Sequence, residues 1–260
     1  MQRRRIVFAA FLFTDPLTYA AKLTPQTAAA FDRYIELNEI RIKVDLSAGR
    51  FLRLAGQPDW KAKVRGGQVR IEPGAMPDNG KKIDVPDGMI QHWVGTMFMA
   101  GAAIPQVTSV LQDYANYKSI YKPEVIDSKQ ISHRGDEYDV FLRLYKKHVL
   151  TVLLNTNYHV RFAMFDPHRM YVISHSTRIA EMKDGAELPV GDDTGFLWRL
   201  NTYWRFEQAD GGVYAECEAI SLSRDVPAIL GWMIKGLLEK FPKESMLNTL
   251  RGTKAAVLGH

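Results

Sequence analysis

FLWRLNTYWRFEQADGGVYAECEAISLSR, residues 196–224, reads as two strands joined by a turn and decides the fold. Apolar and polar side chains alternate along both halves, and alternate side chains of a strand point to opposite faces of a sheet. The ADGG segment between the halves consists of typical turn residues. Pairing through this turn places one set of mostly apolar side chains on the same face of the sheet, which we call the dry face because we predict that it is shielded from water. Its members are Trp198, Leu200, Thr202, Trp204, Phe206, Val213, Ala215, Cys217, Ala219 and Ser221.

The opposite face of this hairpin is rich in charge. It carries Arg199, Asn201, Tyr203 and Arg205 across from Tyr214, Glu216 and Glu218. Arginine across from glutamate is typical of a solvated ladder of charged side chains, so we predict that this face is exposed to solvent. The alternative is a buried polar network that binds something.

The dry face continues on three further strands. Its predicted members there are Tyr138, Val140, Leu142 and Leu144, then Leu150, Val152, Leu154, Thr156, Tyr158 and Val160, then Tyr171, Ile173, His175, Thr177 and Ile179. This face therefore carries neutral hydrogen-bonding groups, namely Tyr158, His175, Thr177, Thr202 and Ser221, and no acid, lysine or arginine. A mostly apolar surface with a few polar groups suits both a small-molecule pocket and an ordinary core.

The large rings at 198 and 204 face small residues at 215, 217 and 219. The gap that this leaves is filled either by a ligand or by the last helix. In the second case Trp232, Met233 and Leu237 supply the filling side chains. The pattern leaves both alternatives open.

The order of elements predicts the class α+β. A helix over 25–46, capped by Thr24 or Thr27, precedes a small hairpin and a turn-rich loop. A strand over 89–102 and short helices lead into a five-stranded meander, and a long helix with a kink or restart at Pro242 ends the chain. We predict a curved antiparallel sheet with this helix as its cover.

Composition excludes several functions. The 34 basic and 29 acidic side chains give a net charge of +5, which falls to +3 without the three arginines and one aspartate of residues 1–20. No basic stripe or nucleic-acid motif is present, so no nucleic-acid partner is expected. The single cysteine, Cys217, excludes an internal disulfide and a metal site built on several cysteines. No phosphate-binding or dinucleotide fingerprint occurs, and we expect no cofactor and no metal.

Residues 1–20 have the order of a secretory signal peptide. Three arginines precede the apolar run Ile6–Phe13, and small residues lie three and one before a cut after Ala20. We expect export to the periplasm or the medium if this segment is cleaved, and a cytoplasmic protein otherwise.

Two segments carry a resemblance to a known superfamily. LQDYANYKSIYKPEVIDSKQISHRGDEYDVFLRL, residues 111–144, resembles the part of START-like proteins in which two short helices lead into the meander. Residues 195–250 are similar to the closing hairpin and long helix of the same helix-grip group, which includes lipid-transfer domains, coenzyme Q-binding proteins and polyketide cyclases. The resemblance covers roughly 89–255 and extends to bacterial members with an N-terminal extension. It implies a START-like domain over 89–260, an extension over 21–88, and a cavity between sheet and helix.

Three functions follow as hypotheses. The first is binding, and with an opening cavity transport, of a hydrophobic small molecule such as a lipid, sterol, quinone or polyketide, with Tyr158, His175 and Thr202 orienting its polar head. The second is a cyclase or dehydratase with His175 as the acid or base. The third is a protein-interaction module on the charged face, a hypothesis supported by Tyr203 and Tyr214.

We expect a monomer with at most transient membrane contact. We also expect a ligand site made of dry-face residues and helix residues: Tyr158, His175, Thr177, Trp198, Thr202, Trp204, Cys217, Ala219, Ser221, Trp232, Met233 and Leu237.

Overall fold

A computed structural model describes residues 21–147, 151–225 and 228–259, with side chains described for 22–147, 151–225 and 241–259. The helices are α1 Pro25–Ser47, α2 Pro58–Arg65, α3 Ile104–Gln112, the 3₁₀-helix Tyr114–Asn116, α4 Tyr117–Ile120 and α5 Ala228–Leu258. The strands are β1 Ala21–Lys22, β2 Arg70–Pro73, β3 Gly88–Ala100, β4 Val125–Arg134, β5 Glu137–Lys147, β6 Thr151–Asp166, β7 Arg169–Lys183, β8 Ala186–Glu187, β9 Asp192–Asp193, β10 Arg199–Ala209 and β11 Gly212–Arg224.

One large antiparallel sheet dominates the described chain. Its strand order is β2-β3-β11-β10-β7-β6-β5-β4, and β8 pairs with the end of β7. The long helix α5 packs on one face and reaches β3, β11, α3 and α4. The predicted α+β class and helix-grip architecture are therefore confirmed.

The hairpin of β10 and β11 has the predicted register. Thr202 lies opposite Ala219, and Trp204 lies opposite Cys217. Asp210 and Gly211 form the two-residue turn, both with positive φ, as a hairpin turn that matches strand twist requires. We call the face with Thr202 and Trp204 the inner face, because α5 packs against it, and the opposite face the outer face.

Gly95 brings α5 close to the inner face. A Cβ atom at this position would lie 2.7 Å from Leu250 Cδ1 and 2.8 Å from Met246 Cγ. Only glycine therefore allows the helix to approach β3 this closely without displacing side chains. The helix continues through Pro242, so of the two predicted alternatives the restart is excluded and the kink stays a prediction.

The N-terminal extension covers the outer face of the β10–β11 hairpin. Thr24 caps α1, as predicted, and accepts a hydrogen bond from the Thr27 N–H group at 3.2 Å. Phe31, Tyr34 and Ile42 of this helix form one buried cluster with outer-face side chains Trp198, Tyr203, Ile220 and Leu222. The extension is thus a third layer on the sheet, opposite α5.

Two predicted details of the sheet are wrong. The small hairpin after α1 is absent from the described residues, since 58–65 form α2 and 70–73 pair with the edge of β3. The helix signals of α2 were present: Pro58 in the first turn and Lys63 and Arg65 in the last. Strand β4 was not predicted, because two register shifts and mostly exposed side chains hide its period of two.

None of the described helices is both long enough and apolar enough to cross a membrane.

Candidate functional site

One half of the inner face is a filled core. Ala215 and Cys217 are buried there together with Trp204, Met246 and Leu250. The Trp204 and Phe206 rings stack, with centroids 5.3 Å apart and an interplanar angle of 7°. The C-terminal half of α5 therefore fills the gap between the large and small residues at this end, through Met246 and Leu250, which were not among the predicted filling residues Trp232, Met233 and Leu237.

The other half of the inner face is less completely covered. Leu200, Thr202, Ala219 and Ser221 are partly exposed, although they belong to the two central strands and are flanked by β3 and β7. A side chain in the middle of a sheet gains exposure only where its face is incompletely packed. We call this region, completed by Ser174 and Ser176 of β7, the open end.

The open end lies at the start of the last helix. Strand β11 runs from the filled core at Ala215 to Ser221 and leads on to residue 228, where α5 begins. Trp232, Met233 and Leu237 belong to this first part of the helix, and their side chains lie outside the described residues.

His175 lies on the outer face, which corrects its predicted position. It is opposite Asn201 in the ladder, and its Nε2 atom is 3.0 Å from Glu39 Oε1 and 3.3 Å from the Tyr203 hydroxyl. The cause is a β-bulge: Asn157 pairs with Arg178 and Tyr158 with Ser176, which leaves Thr177 as an extra, exposed residue. One extra residue reverses which side chains of β7 face inward. Met170, Val172, Ser174 and Ser176 therefore share the inner face, whereas Tyr171 and Ile173 do not.

Trp198 also lies on the outer side of the sheet. It is 2 % exposed, packs in the cluster of α1, and donates its indole N–H to Asp193 Oδ1 at 3.1 Å. Regular strand begins only at Arg199, so strict alternation does not extend to residue 198. The prediction that Trp198 and Trp204 share a face is wrong.

The remaining predicted residues divide between core and open end. Tyr158, Trp204 and Cys217 are inner-face residues of the filled core. Burial raises the pKa of the Cys217 thiol, so the thiolate needed for nucleophilic chemistry is disfavoured. Thr202, Ala219 and Ser221 share the inner face, as predicted, and lie at the open end; their part in a ligand site stays a prediction.

Two charged groups on the inner face were missed. Lys146 lies opposite Val152, and its ammonium is 2.6 Å from Glu124 Oε1 and 2.8 Å from Ser245 Oγ of α5. Glu181 lies opposite Leu154, and its Oε2 accepts the Thr194 hydroxyl hydrogen bond at 2.5 Å. The signal for both positions is the alternation itself, because one further step from Leu144 reaches Lys146 and one from Ile179 reaches Glu181. The predicted inner-face lists ended one step too early.

The outer face of the β10–β11 hairpin is buried, so the predicted solvated ladder is wrong. Arg205 is 1 % exposed, and Glu216 and Glu218 are fully buried. Glu218 accepts hydrogen bonds from Arg41 and Arg53 at 2.7 Å and from Arg205 at 3.2 Å. The alternative of a buried polar network is the arrangement that the structure has, and its partners from the N-terminal extension were invisible in the strand pattern.

His92 and Tyr34 complete this network. The His92 Nε2 atom is 2.7 Å from Glu218 Oε1, and its Nδ1 atom is 2.9 Å from the Tyr34 hydroxyl. Burial lowers the pKa of His92 despite the nearby Glu218, so the ring is neutral, donates through Nε2 to Glu218 and accepts from Tyr34. Burial alone would raise the pKa of Glu218, but the His92 hydrogen bond and the two arginines hold it well below its usual range.

The charged groups of this network hold parts of the fold together. Its charges join α1 and the segment around Arg53 to β10 and β11, and the Arg53 N–H group donates to Glu216 Oε2 at 2.9 Å. Burial raises the pKa of Glu216, against the opposing charge of Arg205. Within the described residues, no group of three or more His, Cys, Asp or Glu side chains is arranged to hold a metal ion.

A separate groove of about 620 Å³ lies at the tips of the β4–β5 and β6–β7 hairpins. It is shallow, and Arg134, Asp136, Glu137 and Arg161 contribute to its lining. Four charged side chains make this groove unsuitable for a hydrophobic ligand.

The chain is similar in fold to several solved structures. One is a STAR-related lipid transfer protein from Xanthomonas axonopodis, with 16% identity, covering 72% of this chain and 98% of that one, at a TM-score of 0.47. Another is the Zhui aromatase/cyclase from Streptomyces sp. R1128, with 13% identity, covering 65% and 94%, at 0.47. Human STARD10 has 10% identity, covering 78% and 79%, at 0.42.

No protein-family model and no curated protein sequence matches the chain. Because the TM-scores are below 0.5, the likenesses carry no argument about ligand or activity. The strand order and the packing of α5 on one face give the chain the helix-grip architecture.

Proposed function

We propose that the chain binds a hydrophobic small molecule at the open end of the inner face. The observation that carries this proposal is the contrast along one hairpin: Ala215 and Cys217 are buried, whereas Ala219 and Ser221 on the same strand face are partly exposed. A ligand lying on the open end would remove apolar surface from water, at roughly 25 cal/mol for each Å².

The composition of the open end supports an apolar ligand. Leu200 and Ala219 supply apolar surface, and Trp93 of β3 lies opposite Ala219. The polar side chains of the six defining residues are hydroxyls, and Gln91 of β3, opposite Ser221, adds a neutral amide. Such a mixture of apolar walls and few neutral polar groups is typical of small-molecule sites.

The residues on which the two competing functions depended do not lie where those functions need them. An enzyme of the cyclase or dehydratase type had His175 as its acid or base, and this side chain lies across the sheet from the open end. A protein-interaction surface required exposed Tyr203 and Tyr214, which are both fully buried. Transport, a monomeric state, transient membrane contact and export remain predictions.

The test combines a cavity-filling variant with ligand detection. Ala219→Trp should leave the protein folded and abolish binding of the species found by native mass spectrometry and by solvent extraction of the denatured wild type. If the wild type purifies empty, the neutral dye Prodan replaces that species in a fluorescence titration. Ala163→Trp, at an exposed position of β6, is the matched control and should bind like the wild type.

Two results would contradict the proposal. Unchanged affinity in folded Ala219→Trp would place the ligand elsewhere. A wild type that purifies empty and binds neither Prodan nor anthracene, 9,10-anthraquinone, 1,8-dihydroxyanthraquinone or anthraquinone-2-sulfonate would show that the site does not exist. Ala215→Trp gives an internal comparison, because this position lies in the filled core and the substitution should destabilise the fold by overpacking.

A further inference from the structure

Three hydroxyl groups of the open end have no partner in the described part of the chain. Ser174, Thr202 and Ser221 lie on the inner face of β7, β10 and β11, are partly exposed, and make no side-chain hydrogen bond with any described residue. Ser176 provides the contrast, because its Oγ atom accepts the Leu200 N–H at 2.9 Å and is therefore already used. The three free hydroxyls need water or a ligand to satisfy them.

The sheet fixes the spacing of these hydroxyls. Thr202 is directly opposite Ser174, so their Cβ atoms are about 5 Å apart. Ser221 is two residues beyond Ala219, the partner of Thr202 on β11, which makes it a diagonal neighbour at about 7–8 Å. Three donors and acceptors thus lie within the width of one small molecule.

The electrostatics of the open end favour a neutral molecule. Its six defining residues carry no charge. Two charged inner-face groups elsewhere on the sheet, Lys146 and Glu181, are engaged with Glu124 and Thr194. An anionic head group placed here would leave water and gain no cationic partner among the residues whose side chains the structure describes, which is costly.

We propose, on the basis of the proposed function, that Ser174, Thr202 and Ser221 select a neutral, oxygen-bearing hydrophobic ligand over a hydrocarbon or an anion of the same size. Carbonyl or hydroxyl oxygens of the ligand exchange hydrogen bonds with the three hydroxyls, while its carbon skeleton covers Leu200 and Ala219. A purely hydrocarbon ligand would strip water from the hydroxyls without replacing its hydrogen bonds.

The test uses probes that share one three-ring skeleton. Calorimetric titration compares anthracene, 9,10-anthraquinone, 1,8-dihydroxyanthraquinone and anthraquinone-2-sulfonate. The wild type should bind the two neutral oxygenated compounds most tightly. Thr202→Val and Ser174→Ala should each weaken their binding about threefold to tenfold, the loss of one hydrogen bond, and leave anthracene unchanged. Thr151→Val, at an exposed position of β6, is the matched control.

The outcomes separate the two proposals. Equal affinity of the wild type for anthracene and anthraquinone, tightest binding of the sulfonate, or parallel losses for all probes in Thr202→Val would overturn the selection by hydroxyls and keep the site. Failure of the wild type to bind Prodan and all four compounds would overturn the proposed function itself. Circular dichroism and thermal unfolding of each variant confirm that it is folded, and Ser221→Ala replaces any variant that is not.

Discussion

Glu218→Gln should be among the most destabilising conservative substitutions in the chain. The side chain is fully buried and accepts hydrogen bonds from Arg41, Arg53, His92 and Arg205. Glutamine keeps the shape but removes the negative charge, and it directs an N–H₂ group at donors. The arginines then lack their shared counter-ion.

The size of the effect follows from this geometry. Removing one partner of a buried ion pair costs about 3–5 kcal/mol, because the other charge stays buried and unpaired. For a chain of this length, about 2 °C of melting temperature corresponds to each kcal/mol, so the melting temperature should fall by about 6–10 °C. The direction in which this stability contribution changes with pH also follows. Because the pKa of Glu218 is held below its usual value in the folded state, its contribution is present above that usual value and is lost as the pH falls below it.

Urea unfolding followed by tryptophan fluorescence measures the effect at pH 7 and again at acidic pH. The matched control is Glu187→Gln, whose carboxylate pairs with Arg178 at the surface and whose loss should cost less than about 1 kcal/mol. The wild type and Glu218→Gln should become more alike in stability as the pH is lowered. A loss at pH 7 no larger than that of Glu187→Gln would refute the view that a buried charge network joins α1 to the sheet.

Three further predictions concern other parts of the chain. Cys217 should react with a thiol reagent at pH 8 only as fast as the protein unfolds, because burial raises its pKa; rapid reaction in the native state would contradict its placement in the filled core. Gly95→Ala should lower the unfolding free energy by about 1–3 kcal/mol through contact with Leu250 and Met246, and less in a Met246→Ala background; equal losses in both backgrounds would disprove this contact. Burial raises the pKa of Asp193, so its ionisation costs stability as the pH rises from about 4, its ordinary value. Asp193→Asn should therefore gain stability relative to the wild type between pH 4 and pH 7, and a relative loss in urea unfolding would contradict this.

The hairpin was predictable because its alternation is uninterrupted. The register of Thr202 with Ala219 follows from the turn and the period of two, and the order of elements predicts α+β. The position of His175 was not predictable, because the bulge at Thr177 has no signal in the strand pattern and reverses every inward position before it. The sequence thus predicted Thr202, Ala219 and Ser221 of the open end as site residues. It placed Ser174 and Ser176 of β7 on the wrong face of the sheet.

The outer face shows a second limit. Arg205, Glu216 and Glu218 have the pattern of a solvated ladder, and burial depends on partners far away in the chain. Arg41 and Arg53 supply those partners, but α1 shows only a weakly amphipathic pattern, with Asn38 among its buried residues. Long-range ion pairing of this kind cannot be read from local periodicity.

The central claim is that the open end of the inner face binds a neutral hydrophobic ligand. A crystal structure of the full chain with 2-bromoanthraquinone tests it most directly, because the anomalous signal of bromine locates the ligand without ambiguity. The account predicts a bromine peak between the inner face at Thr202 and Ala219 and the N-terminal half of α5. A peak on the outer face or in the groove beside Arg134, or an unoccupied inner face at saturating ligand, would contradict it.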